Sequence, residues 1–269
     1  MYAMLIAVAA LWGAGAGLLL PRAEYRLSVE PEEAWRDACA EGHPFTGPAR
    51  GWIGGARCVA CAMAVPARTA PGTAEAAGTP AARIQPPAPR LQPLVPLTTA
   101  LVCAALAAAT GPRPELAVWL LLTPFAVLLA LVDRAVHRLP DQLTLPLAAA
   151  AAALLGLAAP LPGDGGSWPT ALLGGLVLGA AYFVLFLIHP NGMGFGDVKL
   201  ALSLGVVLGW YGWAILFAGA FAGFVLGSLY GLGLMALRRA SRKTAIPFGP
   251  FMIVGALAGV LLGALAAMP

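Results

Sequence analysis

Trp119-Leu-Leu-Leu-Thr-Pro-Phe-Ala-Val-Leu-Leu-Ala-Leu-Val-Asp133 decides how the chain is read. Fourteen residues pass without a charge, and then an acid closes the run. With the residues from Glu115 on, the run approaches the roughly 20 that a helix needs to cross a bilayer. The expectation is a transmembrane helix over 115–132 with Asp133 at its C-terminal end. An anion is disfavoured there by the helix macrodipole, so capping does not explain Asp133.

The rest of the chain has the same character. Of 269 residues, 60% are hydrophobic and 10% charged, against about 25% charged in a soluble domain. Mean hydropathy is +0.83. Further apolar runs predict helices at about 94–110, 142–160, 170–189, 198–211, 213–237 and 247–267. Residues 3–20 form another run around Trp12. No basic residue precedes it, as one would before a cleaved signal, so a retained helix is expected. The fold class is all-α: a polytopic membrane helical bundle of about eight transmembrane helices.

Residues 21–93 differ, with eight arginines and seven acids. Residues 21–64 are expected to form a loop module around Trp35, Phe45, Trp52 and Ile53. Residues 65–93, rich in Ala and Pro, suit an extended linker. Residues 94–269 then form a seven-helix membrane domain. Eight spans with the N-terminus outside place 21–93, 133–141, 190–199 and 238–246 on the inner side. Those segments hold 15 of the 16 Lys and Arg, leaving only Arg113 outside. The positive-inside rule therefore favours an N-out, C-out topology with a cytoplasmic module. The small net charge of +4 does not call for a nucleic-acid partner.

The same topology puts a second acid beside Asp133. Asn191-Gly-Met-Gly-Phe-Gly-Asp-Val-Lys-Leu200 is a glycine-rich turn carrying Asp197 between apolar runs. An ionisable group near membrane depth is a functional hypothesis by default. The following helix is expected to end at an interfacial belt, Trp210-Tyr211-Gly212-Trp213. From Leu200 to Trp213 is about 21 Å against a core of about 30 Å, which draws Asp197 into the inner leaflet. Gly194 and Gly196 would let a substrate backbone approach, and Lys199 would hold the acid ionised or meet a lipid phosphate.

Between Leu94 and Pro269 the other acids are Glu115, Asp141 and Asp164. Glu115 and Asp164 read as solvated charges in short outer loops. Asp141, after Pro140, reads as a helix N-cap. Asp133 and Asp197 remain, and two such carboxylates suit acid–base hydrolysis. One activates a water and the other protonates the carbonyl and then the leaving amine. Their helix positions suggest Asp133 as the neutral partner and Asp197 as the ionised one. His137 and His189 read as solvated or dipole-favoured side chains, and Arg238, Arg239, Arg242 and Lys243 as an inner anchor.

Asp133-Arg-Ala-Val-His-Arg-Leu-Pro-Asp-Gln-Leu-Thr-Leu-Pro146, Gly194-Phe-Gly-Asp197-Val-Lys and Ala245-Ile-Pro-Phe-Gly-Pro-Phe251 together resemble the type IV prepilin peptidases. These are GxGD-type aspartic proteases of the bacterial inner membrane. The resemblance covers about 95–255. It implies removal of a short basic leader from prepilins or pseudopilins at the cytoplasmic membrane face. Asp133 and Asp197 would be the catalytic pair, among membrane lipids and with pilus or secretion machinery as possible company. Fuller relatives carry two CxxC pairs in the first loop, and many methylate the new N-terminus with S-adenosylmethionine. Here Cys58-Val-Ala-Cys61 is intact, while Cys39-Ala-Glu-Gly-His43 replaces the first pair. Cys39, His43, Cys58 and Cys61 are still a legitimate structural zinc set; the alternative is a loop of free thiols. Two other functions stay open at this point: a transporter or channel relaying protons through the two aspartates, and a non-enzymatic subunit of a pilus or secretion apparatus.

Overall fold

The computed structural model describes residues 2–30, 33–55, 58, 60–61, 94–190, 192–239 and 246–268. The expected 65–93 linker lies outside them, as do Asn191, Arg242 and Lys243. Eight long helices carry the described chain: α1 (Tyr2–Leu27), α2 (Leu94–Thr110), α3 (Glu115–Val136), α4 (Asp141–Ala158), α5 (Trp168–Ile188), α6 (Phe195–Gly209), α7 (Trp213–Ala236) and α8 (Gly249–Ala266). Six of them, α1, α3, α4, α5, α7 and α8, are long and apolar enough to cross a membrane. The other two are shorter, with 17 residues in α2 and 15 in α6. The chain is an all-α, multi-pass membrane protein.

Cross-contacts fix which helix ends lie together. At one end, Leu139 between α3 and α4 packs on Gly196 of α6. Arg138 donates to the Glu30 carbonyl after α1 at 2.9 Å. Asp133 in the last turn of α3 meets Gly249 at the start of α8. At the other end, the Tyr2 hydroxyl donates to the Ala108 carbonyl, and Tyr211 lies against Gly263.

The middle of the bundle is held by a glycine seam between α5 and α6. A Cβ on Gly205 would strike the Gly174 carbonyl oxygen and stand 2.8 Å from the Gly175 Cα. One on Gly209 would stand 2.6 Å from the Thr170 carbonyl oxygen. In lipid, helices associate through such close packing and not through apolar burial. Gly205→Val is therefore expected to destabilise the bundle by at least about 3 kcal/mol, the upper end of overpacking costs. A lowered melting temperature of the purified protein in mild detergent would register it; a melting temperature equal to the parent's would remove the seam from this role.

The far end corrects two sequence readings. Glu115 is not a solvated loop charge: it is fully buried, 3.7 Å from the Arg113 guanidinium. Its Oε1 also accepts the Gly165 amide at 3.1 Å. Arg113 donates to the Thr110 and Ala109 carbonyls at 2.6 and 3.2 Å and to that of Ala264 in α8. The one basic residue on the wrong side for the charge rule is thus half-buried and paired with an acid. Asp164 is exposed, as expected. Trp210 is not part of an interfacial belt. It is fully buried beneath Gly166, and its carbonyl accepts the Ser167 amide at 2.9 Å. Trp213 remains exposed.

The first helix also runs further than expected, through Pro21 to Leu27. Proline removes a ladder donor and usually ends or kinks a helix. Here the extra turns are held by arginines that reach the loop module. Arg22 donates to the carbonyls of Gly55 and Thr46, both at 3.1 Å, and Arg26 to that of Arg50 at 3.1 Å. Arg26 also lies 4.1 Å over the Trp52 ring. Of the four expected core residues of the module, Phe45 is buried against Tyr25, and Trp52 packs edge-on to Trp35. Trp35 and Ile53 are themselves exposed.

Candidate active site

Asp133 lies in the last turn of α3, which ends three residues on, at Val136. The helix then stops because His137 adopts a left-handed conformation, φ 52°, with its amide on the Asp133 carbonyl at 2.8 Å. That reversal turns Leu139 and Pro140 inward. Leu139 sits against Gly196, where an added Cβ would stand 2.9 Å from the Leu139 Cβ. The second glycine of the Gly-x-Gly-Asp turn is therefore a packing requirement against the α3–α4 loop.

Asp197 occupies the first turn of α6. Its Oδ2 accepts the amide of Gly194, the residue preceding the helix, at 3.2 Å. Asp133 has the matching arrangement through a different helix: its Oδ2 accepts the Gly249 amide at 2.9 Å, at the first residue of α8. Both carboxylates thus receive a backbone N–H at a helix N-terminus, the end that favours negative charge. The sequence argument for Asp133 as the neutral partner rested on its own helix C-terminus, and the α8 N-terminus offsets it. Both are buried, with 4% and 8% exposure. Both lie at the same end of the bundle, where Leu139 of the α3–α4 loop packs on Gly196, the residue before Asp197. Around them stands an aromatic wall: Tyr182 is 5.4 Å from Phe224 and 6.4 Å from Phe248, the residue before Gly249.

Gly249 is the site residue that sequence reasoning missed. It lies in the quoted Ala245–Phe251 stretch, but nothing local shows that its amide meets a carboxylate 116 residues away. Asp141 and Lys199 also take different roles from those expected. No side-chain cap bond comes from Asp141, which is already inside α4. Its Oδ2 instead pairs with the Lys199 Nζ at 2.6 Å. Lys199, further steadied 4.7 Å over the Phe195 ring, ties the first turns of α4 and α6 together and does not serve Asp197 directly. His137 and His189 are exposed, in keeping with their solvated reading.

The four expected metal ligands also come together. The Cys39 Sγ is 3.6 Å from both the Cys61 Sγ and the His43 Nδ1, and His43 Nδ1 is 3.2 Å from Cys61. All four ligand atoms, Cys58 included, lie within 4.8 Å of one another. Tetrahedral zinc with ordinary bond lengths would set S···S near 3.8 Å and S···N near 3.6 Å, so the set fits. Burial opposes ionisation of Cys39, but the Glu41 and His43 amides outweigh it and hold the thiol below its ordinary value. The Cys61 amide does the same for Cys58. Cys61 is pushed up to about 12 by burial and by the two neighbouring sulfurs, a crowding that a dication relieves.

The model of the type IV leader peptidase family matches residues 120–267, a stretch that contains both aspartates, the glycine turn and Gly249. The chain belongs to that family. It is 36% identical over 170 residues to the prepilin leader peptidase/N-methyltransferase of Aeromonas salmonicida (strain A449), covering 62% of this chain and 56% of that protein. The proteins of the same name from Pseudomonas putida and Pseudomonas aeruginosa are 34% and 35% identical. Those matches cover 61% and 62% of this chain and 56% and 57% of the relatives. The chain's similarity thus spans little more than half the length of these leader peptidase relatives. No solved structure matches it.

Proposed function

We propose that this member of the leader peptidase family is an aspartic endopeptidase that removes the basic leader from type IV prepilins or pseudopilins. The observation that supports this reading is the burial of Asp133 and Asp197 at one end of the bundle, each held by a backbone amide. A water between the carboxylates attacks the scissile carbonyl carbon. The ionised carboxylate takes the water's proton, and the protonated one gives its own to the carbonyl oxygen. Collapse of the tetrahedral species breaks the C–N bond: the proton first taken passes to the leaving amine, and one hydroxyl of the gem-diol returns its proton to the second carboxylate. The two acids titrate as a pair. By the charge rule, the site faces the cytoplasm across a bacterial inner membrane.

The relay reading is not favoured, because both acids sit at a helix end and transporter sites favour the midplane. Co-expression with a prepilin, followed by mass spectrometry of the pilin N-terminus, tests the peptidase directly. The expected result is loss of the leader after its terminal glycine. A full-length prepilin beside folded enzyme would sink the reading.

The Cys39, His43, Cys58 and Cys61 set would hold zinc with four protein ligands, which marks a structural site and not a catalytic one. Its contribution would be to fix the module onto α1. Metal analysis is expected to give one zinc per chain, falling to less than about a tenth in Cys61→Ser, since structural zinc sites need their full ligand set. Equal zinc in both would leave the cluster as free thiols. The relatives' names also carry methyl transfer, which requires S-adenosylmethionine. Three thiols and an imidazole this close fit a metal and leave no room among them for that cofactor. The same mass spectrum shows whether the new N-terminus carries a methyl group.

A further inference from the structure

A cavity of about 340 Å³ runs along the inner face of α3, bounded also by α2, α4, α6 and α8. It begins at Arg134 and Pro250, the neighbours of Asp133 and Gly249, and reaches Trp119 and Val260. From Pro250 to Val260 is about 15 Å of helix, which is what the chains of one leaflet fill in a core of about 30 Å. Val254, on its wall, is half exposed and marks a lateral mouth.

Its shape and chemistry limit what can enter. An extended peptide does not suit the lining. The hydroxyls on the wall already commit their hydrogens to backbone carbonyls: Thr98 to Leu94 at 2.9 Å, Thr123 to Trp119 at 2.7 Å and Ser203 to Thr144 at 3.2 Å. The Trp119 indole N–H is likewise committed, to the Tyr211 hydroxyl at 3.2 Å. Peptide carbonyls inside would go unsatisfied at several kcal/mol each. A hydrocarbon chain requires no partner. At the mouth stands Arg134, the cavity's one charged residue. It is exposed and makes no ion pair with the described residues.

We propose that this cavity holds one acyl chain of an anionic phospholipid, whose phosphate is paired by Arg134. The lipid comes from the leaflet at the aspartate end, and its chain forms the wall beside Asp133 that the helices leave open.

The test uses the full chain in mild detergent with added phosphatidylglycerol, read by native mass spectrometry and thermal melting. One phosphatidylglycerol per chain is expected to stay bound, at least tenfold more tightly than phosphatidylcholine with the same chains. Arg134→Gln is expected to abolish that headgroup preference. Ala130→Phe and Ala126→Leu, which fill the slot at two levels, are expected to cut retention at least tenfold. Unchanged retention in either filler that keeps the parent's melting temperature overturns the proposal. So does an absent headgroup preference in the parent. A photoreactive side chain at Val254 gives a reading that needs no filler: cross-linking to phospholipid supports the proposal, and cross-linking to the apolar segment of a co-expressed prepilin overturns it. None of these readouts except the last involves substrate, so they stand apart from the peptidase reading.

Discussion

Asp133→Asn and Asp197→Asn are each expected to lower leader removal by on the order of 10³-fold or more, the scale of lost acid–base catalysis. Asparagine keeps the shape of the side chain and an oxygen that can accept the Gly249 or Gly194 amide. The contact between α3 and α8, and the turn before α6, therefore survive. What is lost is the capacity to take up and release a proton. For two acids acting on one water, removal is expected to be far from additive, and the double variant little slower than either single one. Time courses of prepilin processing, with melting curves to show that the variants fold, check this. More than a tenth of the parent rate in either folded single variant would exclude that residue from the chemistry.

A methyl group at Gly249 is expected to do nearly as much damage without touching a titratable group. In Gly249→Ala the new Cβ would stand 2.8 Å from the Asp133 Oδ2 and 3.2 Å from its Cγ, closer than real contacts allow. The carboxylate must move by some tenths of an ångström although its amide partner remains. A misplacement of about 1 Å at a reacting centre costs about 100-fold, so a loss of roughly 10- to 100-fold in turnover is expected. Gly233→Ala is the matched control: its Cβ would meet nothing within 4 Å, and activity should stay at the parent level. Equal activities in the two alanine variants would show that the Asp133 position tolerates displacement.

The difference between Asp133 and Gly249 also marks what the chain betrays by itself. Eight apolar runs are visible because lipid demands length and composition within each helix, and the structure moves their ends by only a few residues. The larger exception is α1, where Arg22 and Arg26 hold helix beyond Pro21 through partners 24 to 33 residues on. Asp133 stands out as an acid where neither lipid nor helix dipole wants one. Gly249, Glu115 and Asp141 do not stand out, because what defines each is a partner from another helix or loop. Glu115 looks like any loop acid until Arg113 and Gly165 enclose it. Asp141 looks like a cap until Lys199 arrives from α6. Trp210 looks interfacial until a loop folds over it. Local chemistry shows which residue is costly, and only the assembled bundle shows what compensates it.

The Arg113–Glu115 pair has a mechanical consequence. It fastens the ends of α2, α3 and α8 and the loop before α5 into one knot, far from the aspartates. At the opposite end the fastenings among the described residues include one amide on Asp133, the Lys199–Asp141 pair, the Leu139–Gly196 contact and the Arg138–Glu30 bond. A bundle tied like this is expected to open as a clothes-peg does, with its spring at Arg113 and its jaws at the two aspartates. Admission of a peptide is then expected to part the jaws and leave the spring closed. Hydrogen exchange would show it as slow amides at 110–116 whether or not substrate is bound, and fast exchange there on substrate binding would contradict it.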